Sequence, residues 1–184
     1  MERKIAIGVQ NFSEIREGNY FYIDKTSFVK DWWESGDSVT LIARPRRFGK
    51  TLNMSMLENF FSIQYANRDD LFDGLSIWQE EEYRKLQGTY PVISLSFANI
   101  KEKEYRITSY RIRQLLMKQS LFNSTFKTNP YLERAVMTGI TRASKESIFS
   151  DLNNLKVVTT TSNEYATAFG FNQEEVIHRK IISF

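Results

Sequence analysis

The stretch TLIARPRRFGKTLNMSMLENFF, residues 40–61, decides how this chain is read. Its start belongs to SVTLIA at 38–43, which has the Val/Thr/Ile content of a short buried strand. Its end sets Leu52, Met56 and Phe60, with Leu57 and Phe61, on one helical face. Between them RPRRFGK concentrates Arg44, Arg46, Arg47 and Lys50 in a single loop. The phosphate-loop pattern G-x-x-x-x-G-K-[ST] runs along residues 44–51. Its last three positions match, while Arg44 stands where the first glycine is usual. Gly49 lets backbone N–H groups approach a phosphate with no Cβ in the way. Lys50 reaches the β/γ oxygens, and Thr51 places a hydroxyl on Mg²⁺. The helix starting near Lys50 adds free N–H groups and the positive end of its dipole. Arg44, Arg46 and Arg47 can add charge-assisted bonds to the same anion, and Phe48 can touch an adenine. The bland alternative is a basic surface loop with GKT present by chance. An apolar strand before it and an amphipathic helix after it favour phosphate binding.

Working outward, 184 residues suit one domain, 1–184. Hydrophobic residues make up 41% and charged residues 26%, a globular balance. No apolar run reaches the length of a membrane helix, and MERKIAIGVQNF does not read as a signal peptide. No cysteine is present, so disulfides and thiolate metal sites are excluded, and a cytoplasmic location fits. A net charge of +3 is too small to argue for nucleic acid by itself. The one histidine, His178, reads as a surface residue and leaves multi-histidine metal chemistry unsupplied.

NYFYID at 19–24 reads as a short strand, with Asp24 capping the helix KTSFVKDWWES. DDLFDGLSI at 69–77 is a turn-rich connection. PVISLSF, RAVMTGI and KVVTTT are further strand candidates. Helices are expected over 103–118 and around Ile148, Phe149, Leu152 and Leu155. Asn172 and Glu175 form a capping box that opens a last helix. Alternating strands and helices predict an α/β fold with a mostly parallel sheet flanked by helices. Trp32, Trp33 and Trp78 read as packing mass rather than base-stacking platforms. Lys145 and Glu146 read as a charged helix face.

IGVQNFSEIREGNYFYIDKT, LIARPRRFGKTLNMSML, LFDGL, YPVISLSF and NPYLERAVMTGITRASKESIFSDLNNL together resemble the predicted AAA-ATPase-like proteins of bacteria. The resemblance covers most of 1–176, and RPRRFGKT looks like that family's own form of the loop. It implies a P-loop NTPase-like sheet, ATP with Mg²⁺ as ligands, and Gly49, Lys50 and Thr51 as binding residues. Members carry an apolar strand ending in an Asp-Glu pair between the segments matching 105–118 and 121 onward. Here those segments are nearly contiguous, so one central strand is expected to be missing. IHRKIISF does not continue the family pattern, and no nuclease-like region follows. The expectation is an internally shortened, C-terminally truncated member, or part of a longer molecule.

The residues alone point the same way. PVISLSF runs into Ala98 and Asn99, RAVMTGI into Thr141 and Arg142, and KVVTTT into Ser162. None supplies the acidic (Walker B) residue that holds Mg²⁺ and orients water. ATP binding with impaired hydrolysis is therefore expected. Thr138, at a strand end, is a candidate γ-phosphate sensor, and Arg142 a candidate sensor or arginine finger for a neighbour, so that Lys50 and Arg142 are the candidate catalytic residues. Two alternatives stay open: a nucleic-acid-binding module using loop 44–50, and a non-catalytic remnant or interaction domain.

Overall fold

A computed structural model describes residues 3–94, 129–139 and 155–180. The chain forms two compact units, one of residues 37–43 and 94–159, the other of residues 1–36, 44–93 and 160–184.

The first unit holds a parallel sheet. β1 (Val39–Ala43) is buried along its whole length, as befits a continuous apolar run in such a sheet. It pairs in parallel with β2 (Ala135–Gly139) on one edge and β3 (Leu155–Val158) on the other. The order is β2-β1-β3, with Leu41 opposite both Met137 and Val157. Lys156 Nζ meets Asp37 Oδ2 at 2.9 Å beside this sheet. The strands expected in SVTLIA and RAVMTGI thus form, slightly trimmed, while the one expected in KVVTTT starts a residue early, at Leu155, and stops at Val158. The class is α/β, with an open, all-parallel sheet of three strands among the described residues. Because β1 has both edges occupied, any further strand could pair only outside β2 or β3. A strand of the kind the family resemblance leads one to expect would therefore have no place directly beside β1.

The second unit is helical. α1 (Phe12–Glu17) starts where the Asn11 side chain accepts the Ser13 N–H, and α2 (Ser27–Glu34) buries Phe28, Val29 and Trp32. α3 (Lys50–Phe61) buries Met56, Leu57, Phe60 and Phe61, as the spacing predicts. Leu52 is only half-buried, and two asparagines, Asn53 and Asn59, take interior positions instead. Phe12 stacks on Phe72 at 5.2 Å while Phe60 meets Phe72 edge-on at 5.1 Å. Each such pair contributes about 0.5–1.5 kcal/mol beyond area burial. Trp33 stacks on Phe61, and Trp78 on Phe72 under the Arg84 guanidinium, so these tryptophans are packing mass.

Two local expectations are corrected. Residues 19–24 are not a strand: Asn19 turns left-handed (φ 47), and Tyr22 packs edge-on against Phe12. Their aromatics are half-buried, and Phe21 N–H donates to the Lys4 carbonyl at 2.8 Å without a ladder forming. Asp24 does not cap α2 directly. Its carboxylate accepts from the Thr26 N–H and hydroxyl and from the distant Ser76 N–H at 2.6 Å. Burial would raise the Asp24 pKa, but those bonds outweigh it and hold the carboxyl below its ordinary value.

The connection at 69–77 contains two 3₁₀ turns, Asp69–Phe72 and Ser76–Gln79, and Arg16 donates to the Leu71 and Asp73 carbonyls. Residues 91–94 are not a strand, and the rest of PVISLSF lies outside the described residues. So do the helix expected over 103–118 and Ile148, Phe149 and Leu152 of the next one, with Lys145 and Glu146; Leu155, expected on that helix, instead opens β3, where its backbone pairs with Val39. A short α4 (Glu81–Arg84) follows the 3₁₀ turns, and α5 (Gln173–Lys180) ends the described chain, carrying His178. The capping box forms as expected: Glu175 N–H donates to Asn172 Oδ1 (2.8 Å) and Asn172 N–H to Glu175 Oε2 (3.0 Å). Among the described residues no helix is long and apolar enough to cross a membrane.

Candidate phosphate-binding site

β1 ends at Ala43, and the chain enters the basic loop at Arg44. Two residues there adopt left-handed backbone, Arg47 (φ 67) and Gly49 (φ 71). Glycine carries that conformation without cost, whereas an arginine does so at about 1–2 kcal/mol. Gly49 is the N-cap of α3. No side chain caps that helix, and the Gly49 carbonyl accepts the Asn53 N–H at 2.9 Å. A Cβ built on Gly49 would meet nothing within 4 Å. The uncapped helix end therefore opens on free space, with Gly49, Thr51, Arg46 and Arg47 exposed around it. These features fit the phosphate tail of a nucleotide: donors without a side-chain partner, a positive dipole end, and room.

Lys50 folds back over the loop. Its ammonium donates to the Arg44 carbonyl at 2.8 Å and to the Pro45 carbonyl, bonds that close the loop on its own start. Partial burial first, then the charge of Arg46, lowers its pKa below the ordinary value.

The candidate ligands separate into groups. Arg46 and Arg47 are exposed in the loop, with Thr51 in the first turn of α3. Arg44 is only 4% exposed. Its guanidinium donates to the Glu164 carbonyl (3.1 Å) and lies 5.9 Å from the Phe169 ring centre, and burial lowers its pKa. Phe48 is partly exposed, and its carbonyl accepts the Gly170 N–H at 3.2 Å. Gly170 is itself left-handed (φ 79), and a Cβ there would lie 2.9 Å from the Phe48 ring. Thr138 sits on β2 in register with Ile42, one residue before the strand ends. Arg142 lies outside the described residues.

No acidic residue follows any described strand: the next residues are Arg44, Ile140 and Thr159. Among the described residues no cluster of three His, Asp or Glu side chains could hold a metal. Thr51 is the one candidate first-turn hydroxyl for Mg²⁺.

Residues 164–170 gave no signal in the sequence. The carbonyls of Glu164, Thr167 and Ala168 accept from Arg44, Lys25 and Asn53 respectively. Lys25 also pairs with Glu175 at 2.5 Å, and Phe28 packs edge-on against both Tyr165 and Phe169. For Glu175, burial raises the pKa but the Lys25 and Asn172 bonds outweigh it, so the carboxyl is held low. Only Asn53, a polar residue interrupting an apolar helix face, was a visible hint.

The family described as "Predicted AAA-ATPase" matches residues 6–121. A protein of Azotobacter chroococcum mcd 1, described as an uncharacterized protein in the vnfD 5′ region, is 35% identical over 115 residues. That match covers 62% of this chain and 21% of the relative. No solved structure matches.

Proposed function

The chain belongs to the predicted AAA-ATPase-like family, and from that premise we propose that it binds ATP with Mg²⁺ through residues 44–51. One observation carries this reading: Gly49, left-handed with open space beside it, begins an uncapped helix whose first residue is Lys50. In the bound state the amides around Gly49 hold the phosphate tail, and Lys50 exchanges the Arg44 and Pro45 carbonyls for β/γ oxygens. Arg46 and Arg47 supply further positive charge at the rim, and Phe48 offers an apolar edge near the base. Thr51 is the residue that would hold Mg²⁺, which would supply charge neutralisation at the phosphates. Arg44, with its side chain committed to Glu164 and Phe169, acts as framework rather than ligand.

Hydrolysis is impaired in this reading, because no carboxylate stands where a water would be oriented. Thr138 and Arg142 remain γ-phosphate sensor candidates, and a cytoplasmic setting suits such a binder.

Titration calorimetry with Mg-ATP tests the proposal. Wild type should bind, and Lys50→Ala should lose at least about tenfold in affinity, as expected for a charge-assisted bond. The nucleic-acid reading rests on the exposure of Arg46 and Arg47. It wins if Lys50→Ala leaves ATP affinity unchanged while DNA binding falls steeply with salt.

A further inference from the structure

Segment 164–170 meets the loop region at three points, before, within and after Gly49. Arg44 reaches the Glu164 carbonyl and the Phe169 ring, Phe48 receives the Gly170 N–H, and Asn53 donates to the Ala168 carbonyl at 2.7 Å. The segment's carbonyls are thus gripped by donors that bracket the loop. A fourth grip, Lys25 on Thr167, shares its ammonium with Glu175 of α5. Glu175 in turn closes the capping box through Asn172. Loop, segment and α5 form one chain of bonds.

Arg44 is the joint. Its carbonyl accepts Lys50, and its side chain holds the segment. Lys50 is held on the Arg44 and Pro45 carbonyls, and phosphate binding as proposed above would give it a second position. Moving it from the first to the second removes a cationic bond from the residue that anchors the segment.

We infer that residues 164–170 are a coupling strap that carries phosphate occupancy of the loop to α5. It rests on the loop being the phosphate site. Two-state behaviour resides in Lys50, and the coupling acts in both directions, because linkage between two sites is reciprocal. Loosening the strap at its far end must therefore change affinity at the loop, although nothing at the loop has been altered.

Hydrogen exchange over 164–176 is measured without ligand, with Mg-ATP and with tripolyphosphate. Affinities are then compared in Glu175→Gln and Lys25→Met. Expected are a change in exchange with both ligands and a shift in ligand affinity of about fivefold or more in the two variants. Glu175→Gln preserves size and keeps the test available if Lys25→Met does not fold. If ligand binds while exchange and variant affinities stay unchanged, the strap is only structural and the inference fails, with the site intact. A response to ATP but not to tripolyphosphate also overturns it, since phosphate is the claimed trigger. Failure of wild type to bind either ligand overturns the site and the strap together.

Discussion

Residues 45–49 owe their shape to their own backbone, whereas residues 164–170 owe theirs to side chains far away in sequence. In the loop, left-handed Arg47 and Gly49 turn the chain, the rim is exposed, and Lys50 closes on carbonyls of the same loop. In the strap, the carbonyls of 164, 167 and 168 are held by Arg44, Lys25 and Asn53, and Tyr165 and Phe169 pack against Phe28. The loop is built to exchange partners and the strap to keep them. The Ala168 carbonyl, bonded to Asn53 in the interior, would pay a full desolvation penalty on losing its donor, but an exposed loop group can turn to water or an anion.

The sharpest break would come at Arg44. Arg44→Ala should destabilise the fold by about 2–3 kcal/mol, through a buried cationic bond and lost packing on Phe169. Lys50→Ala should cost less than about 1 kcal/mol in denaturant unfolding. If Arg44→Ala unfolds like wild type and only weakens ATP binding, Arg44 is a phosphate ligand and the division between loop and strap collapses.

The two glycines give a finer contrast. Gly170→Ala should cost about 2 kcal/mol, combining left-handed strain with displacement of the Phe48 ring. Gly49→Ala meets open space, so about 1 kcal/mol of strain is all that should appear in thermal melts. Its larger effect should be on calorimetric ATP affinity, because the new Cβ enters the space where phosphate is proposed to sit.

Acid titration isolates a smaller effect. The folded-state pKa of Glu175 is lowered, so its contribution is complete above its ordinary value of 4.5 and disappears as pH falls through the folded value. The pair is partly exposed, so under about 1 kcal/mol is at stake. Below pH 4.5, melting temperatures of Glu175→Gln should fall less steeply than those of wild type.

The smallest test concerns alkaline pH. The Lys50 pKa is below its ordinary 10.5, so protonated Lys50 opposes folding slightly at lower pH, and that cost fades as pH rises toward 10.5. ATP affinity should move the other way, declining as the ammonium is lost in that window. Lys50→Arg should flatten the decline, because its guanidinium stays charged.

Wherever a local rule was sufficient, the structure was legible. SVTLIA and RAVMTGI each contain their strand, KVVTTT supplies three of the four residues of β3, and the Asn172/Glu175 capping box forms with both reciprocal bonds. Elsewhere propensity was overridden. The aromatics of 19–24 suggested a strand, but Tyr22 packs edge-on against Phe12 instead, and Asp24 bound Ser76, a partner fifty-two residues away. Arg44 looked like every other arginine of RPRRFGK, yet it is buried while Arg46 and Arg47 are exposed.

By itself the sequence determined the apolar strand, the glycine that can turn left-handed, the lysine at the helix start and the family to which they belong. These are short-range matters of backbone freedom, spacing and charge, complete within a dozen residues. Tertiary structure alone decided which arginine is framework, which carbonyls of 164–170 are held, and that β1 has a partner on each edge. Those outcomes depend on where donors from distant segments come to lie, and no local pattern encodes that position.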